Sequence, residues 1–244
     1  MSPAAGAASG SELAPVDRTA ERLAEVRQRL AAAAIAAGRD PAEVRLVAIS
    51  KKQPLAKLRA AHAAGQRDFG ESYAQELQAK ALALADLPGL RWHFVGKLQS
   101  NKARLVAPIC ERIHTLDGEA LARALLQRAP GAGLAGLIEV NLGAEVQKGG
   151  VLPAEVERLA VALGGVTGLR LEGLMCLPPA NEPPRPHFAR LRALRDSVSR
   201  HLGIPLPELS MGMSNDFEIA IAEGATLIRV GTAIFGERED APAS

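Results

Sequence analysis

RLVAISKK, Arg45 to Lys52, decides the reading of the fold. Six mostly apolar residues, rich in branched side chains, stop at two lysines and a Gln-Pro pair. A run of that length and composition predicts a buried strand, and Pro54 favours a turn or a helix start after it. Side chains alternate along a strand. Val47, Ile49 and Lys51 therefore share one face, and Leu46, Ala48, Ser50 and Lys52 the other. The strand delivers one lysine to its C-terminal end, where α/β proteins keep their chemistry. Lys51 is taken as the inward one; the plainer alternative is a pair of solvated lysines opening a loop.

Outward from this strand, short apolar runs alternate with helical segments. Strands are predicted at 45–50, 67–70, 91–96, 112–116, 136–142, 169–177, 208–211 and 226–230. Helices are expected near 54–64, 73–84, 101–107, 118–128, 153–163, 185–202 and 216–222. Strict β/α alternation forces a parallel sheet, and eight such units in this length predict a single-domain (β/α)8 TIM barrel over residues 16–240. An open doubly wound sheet fits less well, because the first loop carries lysines where a dinucleotide site carries glycines. Before the first strand, Leu23, Val26 and Leu30 fall at helical spacing, which adds an N-terminal helix that Asp17 can cap and Gly38 can close. Residues 1–15 are Ala, Gly, Ser and Pro with little else, the composition of a disordered tail. The Pro-rich stretch Pro178 to Pro186 is too short for a domain linker and suits a loop at the barrel mouth.

Composition excludes several classes. The chain has 244 residues, 48% hydrophobic and 23% charged, an ordinary globular profile. A net charge of +2, with arginines spread along helices, argues against nucleic acid or a membrane surface as partner. Cys110 and Cys176 lie far apart with no ligand-spaced histidine, so neither a disulfide framework nor a metal site is indicated. With no signal-like segment and no membrane-length apolar run, the expected location is cytoplasmic.

Polar residues gather at the strand ends: Lys51 after the first, Ser72 after the second, His93 in the third, Asn141 in the fifth, Met175 in the sixth. Ser214 follows the seventh, and Arg229, Gly231 and Thr232 end the eighth. In barrels, phosphate often binds the last two of these loops at a helix N-terminus. Ser214 and Thr232 supply hydroxyls, Gly231 allows close backbone approach, and Arg229 adds a fixed cation. Ordinary helix capping and a structural salt bridge would explain each of these residues singly. A lysine beside a phosphate cradle points to Schiff-base chemistry, because an amine in a desolvated, cation-rich pocket becomes nucleophilic. Pyridoxal 5'-phosphate (PLP) needs both, plus a partner for its pyridine nitrogen, which Arg229 could be. A cofactor-free Schiff-base aldolase acting on a phosphorylated sugar uses much the same parts.

Several stretches together resemble one family. VAISK (47–51), FGESYAQE (69–76), WHFVGKLQSNK (92–102), HTLD (114–117), EVNLGAEVQKGG (139–150), GLMCLPP (173–179), LSMGMSNDFEIAIAEGAT (209–226) and RVGTAIFG (229–236) are similar to the pyridoxal phosphate homeostasis proteins. These are stand-alone barrels related to the N-terminal domain of alanine racemase. The resemblance implies a monomeric barrel with Lys51 as the internal aldimine, phosphate contacts from Ser214, Gly231 and Thr232, and Arg229 near the pyridine nitrogen. It implies buffering or delivery of PLP and amino-acid and keto-acid balance, without established catalysis. The family usually has Asn at the position of Ser72. Serine is shorter, so a contact that asparagine makes to the cofactor ring or loop does not carry over unchanged.

The residues bear on catalysis too. A two-base racemase needs a second acid/base opposite the lysine. In alanine racemase that group is a tyrosine, presented with an extra β domain. Here the only tyrosine is Tyr73, and the chain stops just after the eighth unit, so His93 or another residue would have to substitute. His93 has an ordinary reading as a hydrogen-bonded packing residue. The readings carried forward are PLP homeostasis through Lys51, a weak racemase or other fold-type III enzyme, the cofactor-free aldolase, and a carrier that hands PLP directly to apo-enzymes.

Overall fold

The computed structural model describes residues 17–129, 131, 133–145 and 147–237; the tail expected over 1–15 lies outside the described residues. Eight parallel strands close into a barrel in sequence order. They are β1 (Arg45–Ile49), β2 (Asp68–Glu71), β3 (Arg91–Phe94), β4 (Cys110–Leu116), β5 (Leu134–Val140), β6 (Leu169–Cys176), β7 (Glu208–Ser210) and β8 (Leu227–Val230). Around them run α2 (Leu55–Ala63), α3 (Ala74–Ala83), α4 (Ala103–Val106), α5 (Glu119–Leu126), α6 (Val156–Gly164), α7 (Pro184–Leu202), α8 (Phe217–Ala222) and α9 (Thr232–Phe235). The expected β/α alternation is the architecture found, with strand limits moved by one or two residues.

Helix α1 (Thr19–Ala36) precedes the barrel and buries Leu23, Val26 and Leu30 against α8 and α9. Asp17 holds its start, accepting from both the backbone N–H and the hydroxyl of Thr19 at 3.0 and 2.6 Å. Gly38 takes the left-handed conformation (φ 69°) that closes it.

Alternation sorts each strand into two faces. On β1, Leu46 and Ala48 join the large apolar core between strands and helices, while Val47 packs inside the barrel with Leu137, Met175 and Leu227. Register carries this around the barrel. Val47 pairs with Arg229 of β8, and Ala48 with Phe69 of β2. Arg229 therefore faces inward and Phe69 outward. Gly96 is required at the end of β3, where any Cβ would collide with the Ser72 backbone carbonyl.

Candidate functional site

Strand β1 ends at Ile49, and the chain turns through Lys51 and Lys52. Lys52 adopts a left-handed conformation (φ 58°), uncommon for a residue with a Cβ. This turn sends neighbouring lysines to different places: Lys51 lines a cavity at the strands' C-terminal end, and Lys52 is exposed.

A buried ion cluster grips the backbone on both sides of Lys51. The Lys80 ammonium of α3 donates to the Ser50 carbonyl (2.5 Å), to Glu71 Oε1 (2.8 Å) and to Glu76 Oε1 (2.7 Å). Ser50 Oγ donates to Glu71 Oε1 at 2.6 Å, and the Lys52 N–H donates to Glu76 Oε1 at 2.5 Å. Burial raises the Glu71 carboxyl above its ordinary range, even though Lys80 and Ser50 act in the opposite sense. Its other oxygen, Oε2, is buried with no hydrogen-bond partner among the described residues.

The cavity has a volume of about 570 Å³. Lys51, Ser72, Ser214, Arg229, Gly231 and Thr232 all reach its wall, from the ends of β1, β2, β7 and β8. Leu177, Pro178 and Pro179, after β6, form another side. A Cβ on Gly231 would sit 3.1 Å from the Ile49 carbonyl, so a glycine lets this backbone lie against β1 and face the cavity. Ser214 does not cap α8. Asp216 accepts from the Met213 N–H at 2.6 Å, while Ser214 Oγ accepts from the Ala233 N–H at the start of α9 (3.3 Å). The two phosphate-type loops are thus tied together.

Arg229 is buried and makes no ion pair among the described residues. Its Nη1 donates to Ser210 Oγ (2.6 Å) and its Nη2 to the Cys176 carbonyl (2.9 Å). Burial lowers its pKa from the ordinary 12.5, but guanidinium remains a donor only. These two bonds use two of its five N–H groups.

Three expected site residues lie elsewhere. Met175 packs within the barrel against Val47, Leu137 and Leu227. Asn141 braces its own loop, donating to the Glu145 carbonyl (2.8 Å) and accepting from the Glu145 N–H (3.1 Å). His93 is fully buried between Asp68 and His114. Sequence reasoning had not assigned a site role to Asp216, Met213 or the prolines of the sixth loop; they follow strand ends, the one positional signal available.

An amine, a buried guanidinium, three hydroxyls and a half-buried glycine backbone converge in a cavity of ligand size. This donor set fits a phosphate ester bearing an aldehyde and a ring acceptor. Comparison with known proteins agrees in kind. The family described as alanine racemase, N-terminal domain, matches residues 14–239. A pyridoxal phosphate homeostasis protein of Pseudomonas aeruginosa is 49% identical over 232 residues, covering 92% of this chain and 98% of that one. One from Escherichia coli is 41% identical over 229 residues, covering 90% and 97%. The structure of PipY from Synechococcus elongatus with PLP bound superposes with a TM-score of 0.79 at 39% identity, covering 89% of this chain and all of that one.

Proposed function

This chain belongs to the pyridoxal phosphate homeostasis protein family, and from that premise we propose that it binds PLP through Lys51 and serves the intracellular balance of that cofactor. The observation that carries the reading is convergence: Lys51, Ser214, Arg229, Gly231 and Thr232 come from three separate chain segments to one cavity. When bound, PLP supplies an aldehyde that condenses with a primary amine. Lys51 is the amine in this reading, held on a backbone fixed by the Lys80 cluster. Ser214, the Gly231 backbone and Thr232 receive the phosphate. Arg229 offers an N–H to the pyridine nitrogen; as a pure donor, it keeps that nitrogen unprotonated and the ring a poor electron sink.

Two features favour buffering or delivery over catalysis. The carboxylates on the cavity wall are engaged, Asp216 with the Met213 N–H and Glu182 with His187 at 2.7 Å. The single tyrosine, Tyr73, is 51% exposed. In this reading residues 16–240 act as one domain, as a cytoplasmic monomer, and release PLP to apo-enzymes that depend on it.

The test is the visible spectrum of the purified protein before and after borohydride. A yellow band that borohydride removes is expected in the wild type and in Lys52→Ala, and is absent from Lys51→Ala. A band retained in Lys51→Ala and lost in Lys52→Ala would overturn the assignment. A protein that stays colourless with added PLP would turn the reading toward a cofactor-free aldolase. Loss of an α-deuterium label from an amino acid, faster than with free PLP, would favour a racemase.

A further inference from the structure

Below the cavity, a file of polar side chains crosses the barrel interior. Arg229 Nη1 donates to Ser210 Oγ (2.6 Å), and Ser210 Oγ meets His114 Nδ1 at 2.8 Å. His114 Nε2 meets His93 Nδ1 at 2.9 Å, and His93 Nε2 meets Asp68 Oδ1 at 3.0 Å. Arg91 closes the far end with two bonds to the Asp68 carboxylate, at 2.9 and 2.6 Å. Ser210, His114 and His93 are wholly buried, away from bulk solvent.

The two ends fix the sense of every bond. Arginine can only donate, and a carboxylate can only accept. His93 therefore carries its proton on Nε2, toward Asp68. With His93 neutral, Nδ1 accepts, and His114 must donate from Nε2. His114 Nδ1 then accepts from the Ser210 hydroxyl, whose oxygen accepts from Arg229. All four bonds run one way and no proton is left over. The alternative is a charged His93 donating to His114 Nε2, with His114 Nδ1–H donating to Ser210. It leaves the Ser210 hydroxyl proton without an acceptor and buries a cation among Arg112, Arg45 and Arg229, with Glu111 and Asp68 as the anions that oppose it. An unsatisfied buried donor is costly.

We propose that Asp68, His93, His114 and Ser210 form a one-way hydrogen-bond relay whose role is to position the Arg229 guanidinium at the floor of the cavity. The relay spans β2, β3, β4, β7 and β8 and holds one N–H of Arg229 down, leaving its remaining donors aimed by the geometry of Ser210 and the Cys176 carbonyl. His93, His114 and Ser210 are positioning residues, acting on a ligand only through Arg229. Burial independently lowers both imidazole pKa values, His114 well below 6.5, as neutral links require. The ligand-side part rests on the PLP reading; the tautomers do not.

The experiment has two arms. Nitrogen-15 NMR of histidine-labelled, cofactor-free protein at pH 7 should give two buried neutral imidazoles, both protonated on Nε2. A charged ring, or an Nδ1–H tautomer for either, would overturn the relay. In the second arm, PLP-loaded Ser210→Ala should release PLP about tenfold faster than wild type, the order expected for loss of one bond to a charged group, with a displaced absorption maximum. Ser210→Thr, which keeps the hydroxyl, should restore both. A band in the wild type with unchanged release and spectrum in Ser210→Ala would refute positioning. A colourless wild type would refute the PLP reading, and the tautomers would then decide the relay. Should Ser210→Ala fail to fold, the tautomers likewise decide.

Discussion

The two cores of this barrel obey different rules. Between strands and helices lies a shell of fully buried apolar groups, among them Phe69, Phe94, Leu58 and Leu77. Inside the strands, Val47, Leu137, Met175 and Leu227 make a small apolar cluster with Ile49 and Leu177 against it, and the section also holds Asp68, His93, His114, Ser210 and Arg229. The shell is stabilised by removing area from water, which has no direction. The interior is stabilised by pairing donors with acceptors along the file from Arg229 to Asp68, which depends on direction. Volume-conserving changes should therefore be mild in the shell, whereas inside the barrel a change that keeps volume but swaps a donor for an acceptor should not be.

The largest expected effect is in the shell. Phe69→Ala should cost about 3–5 kcal/mol in urea unfolding, and Phe69→Leu, nearer in volume, less than about 2 kcal/mol. Equal losses would break the non-directional account. Next comes a buried ion cluster in the shell. Lys80→Met strands Glu71 and the Ser50 carbonyl, so it should cost about 3 kcal/mol. Adding Glu71→Gln should recover part of that in a double-mutant cycle, and no recovery would mean that the pair is not coupled.

The interior should show itself through pH. Burial lowers the folded pKa of His93 and His114 below the ordinary 6.5, so below that pH the unfolded chain binds protons that the folded one does not. Stability is then complete above about pH 6.5 and falls as pH drops toward the folded values, by about 1.4 kcal/mol per pH unit for each imidazole. Glu71 and Glu139, raised above 4.5 by burial, act in the opposite sense. The comparison is therefore with His114→Asn, whose profile should be shallower between pH 6.5 and 5; parallel profiles would sink the neutral-imidazole account. The smallest effect belongs to the surface. Arg29 pairs with Glu218 at 2.6 Å and lies 4.6 Å over the Phe217 ring, and Arg29→Ala should cost about 0.5–1 kcal/mol.

The shell was legible in the sequence and the interior only partly so. Apolar runs located the strands, at 45–50 and 136–142 where the structure has Arg45–Ile49 and Leu134–Val140, and the alternation of Leu46, Val47, Ala48 and Ile49 foretold which residues meet helices. Strand-end position also nominated Lys51, Ser72, Ser214, Arg229, Gly231 and Thr232, which share a wall. The same rule nominated Met175 and Asn141, which do not, because position at a strand end does not say whether a side chain rises into the mouth, sinks into the barrel or folds back on its loop. His93 was visible as a strand histidine. Its partners were not, since His114 is 21 residues away and Ser210 a further 96, and only closure of the barrel makes them neighbours.

The grip of Lys80, Glu71 and Glu76 on Ser50 and Lys52 has a kinetic meaning. Lys51 stands on a pedestal: the backbone before and after it is clamped, at the Ser50 carbonyl and at the Lys52 N–H. A molecule joined to that amine is tethered by a short crane on a fixed base. Release of such a molecule requires cleavage of its bond to nitrogen, and with the backbone fixed any reorientation at that nitrogen falls to the torsions of one side chain, which turn far faster than strands open.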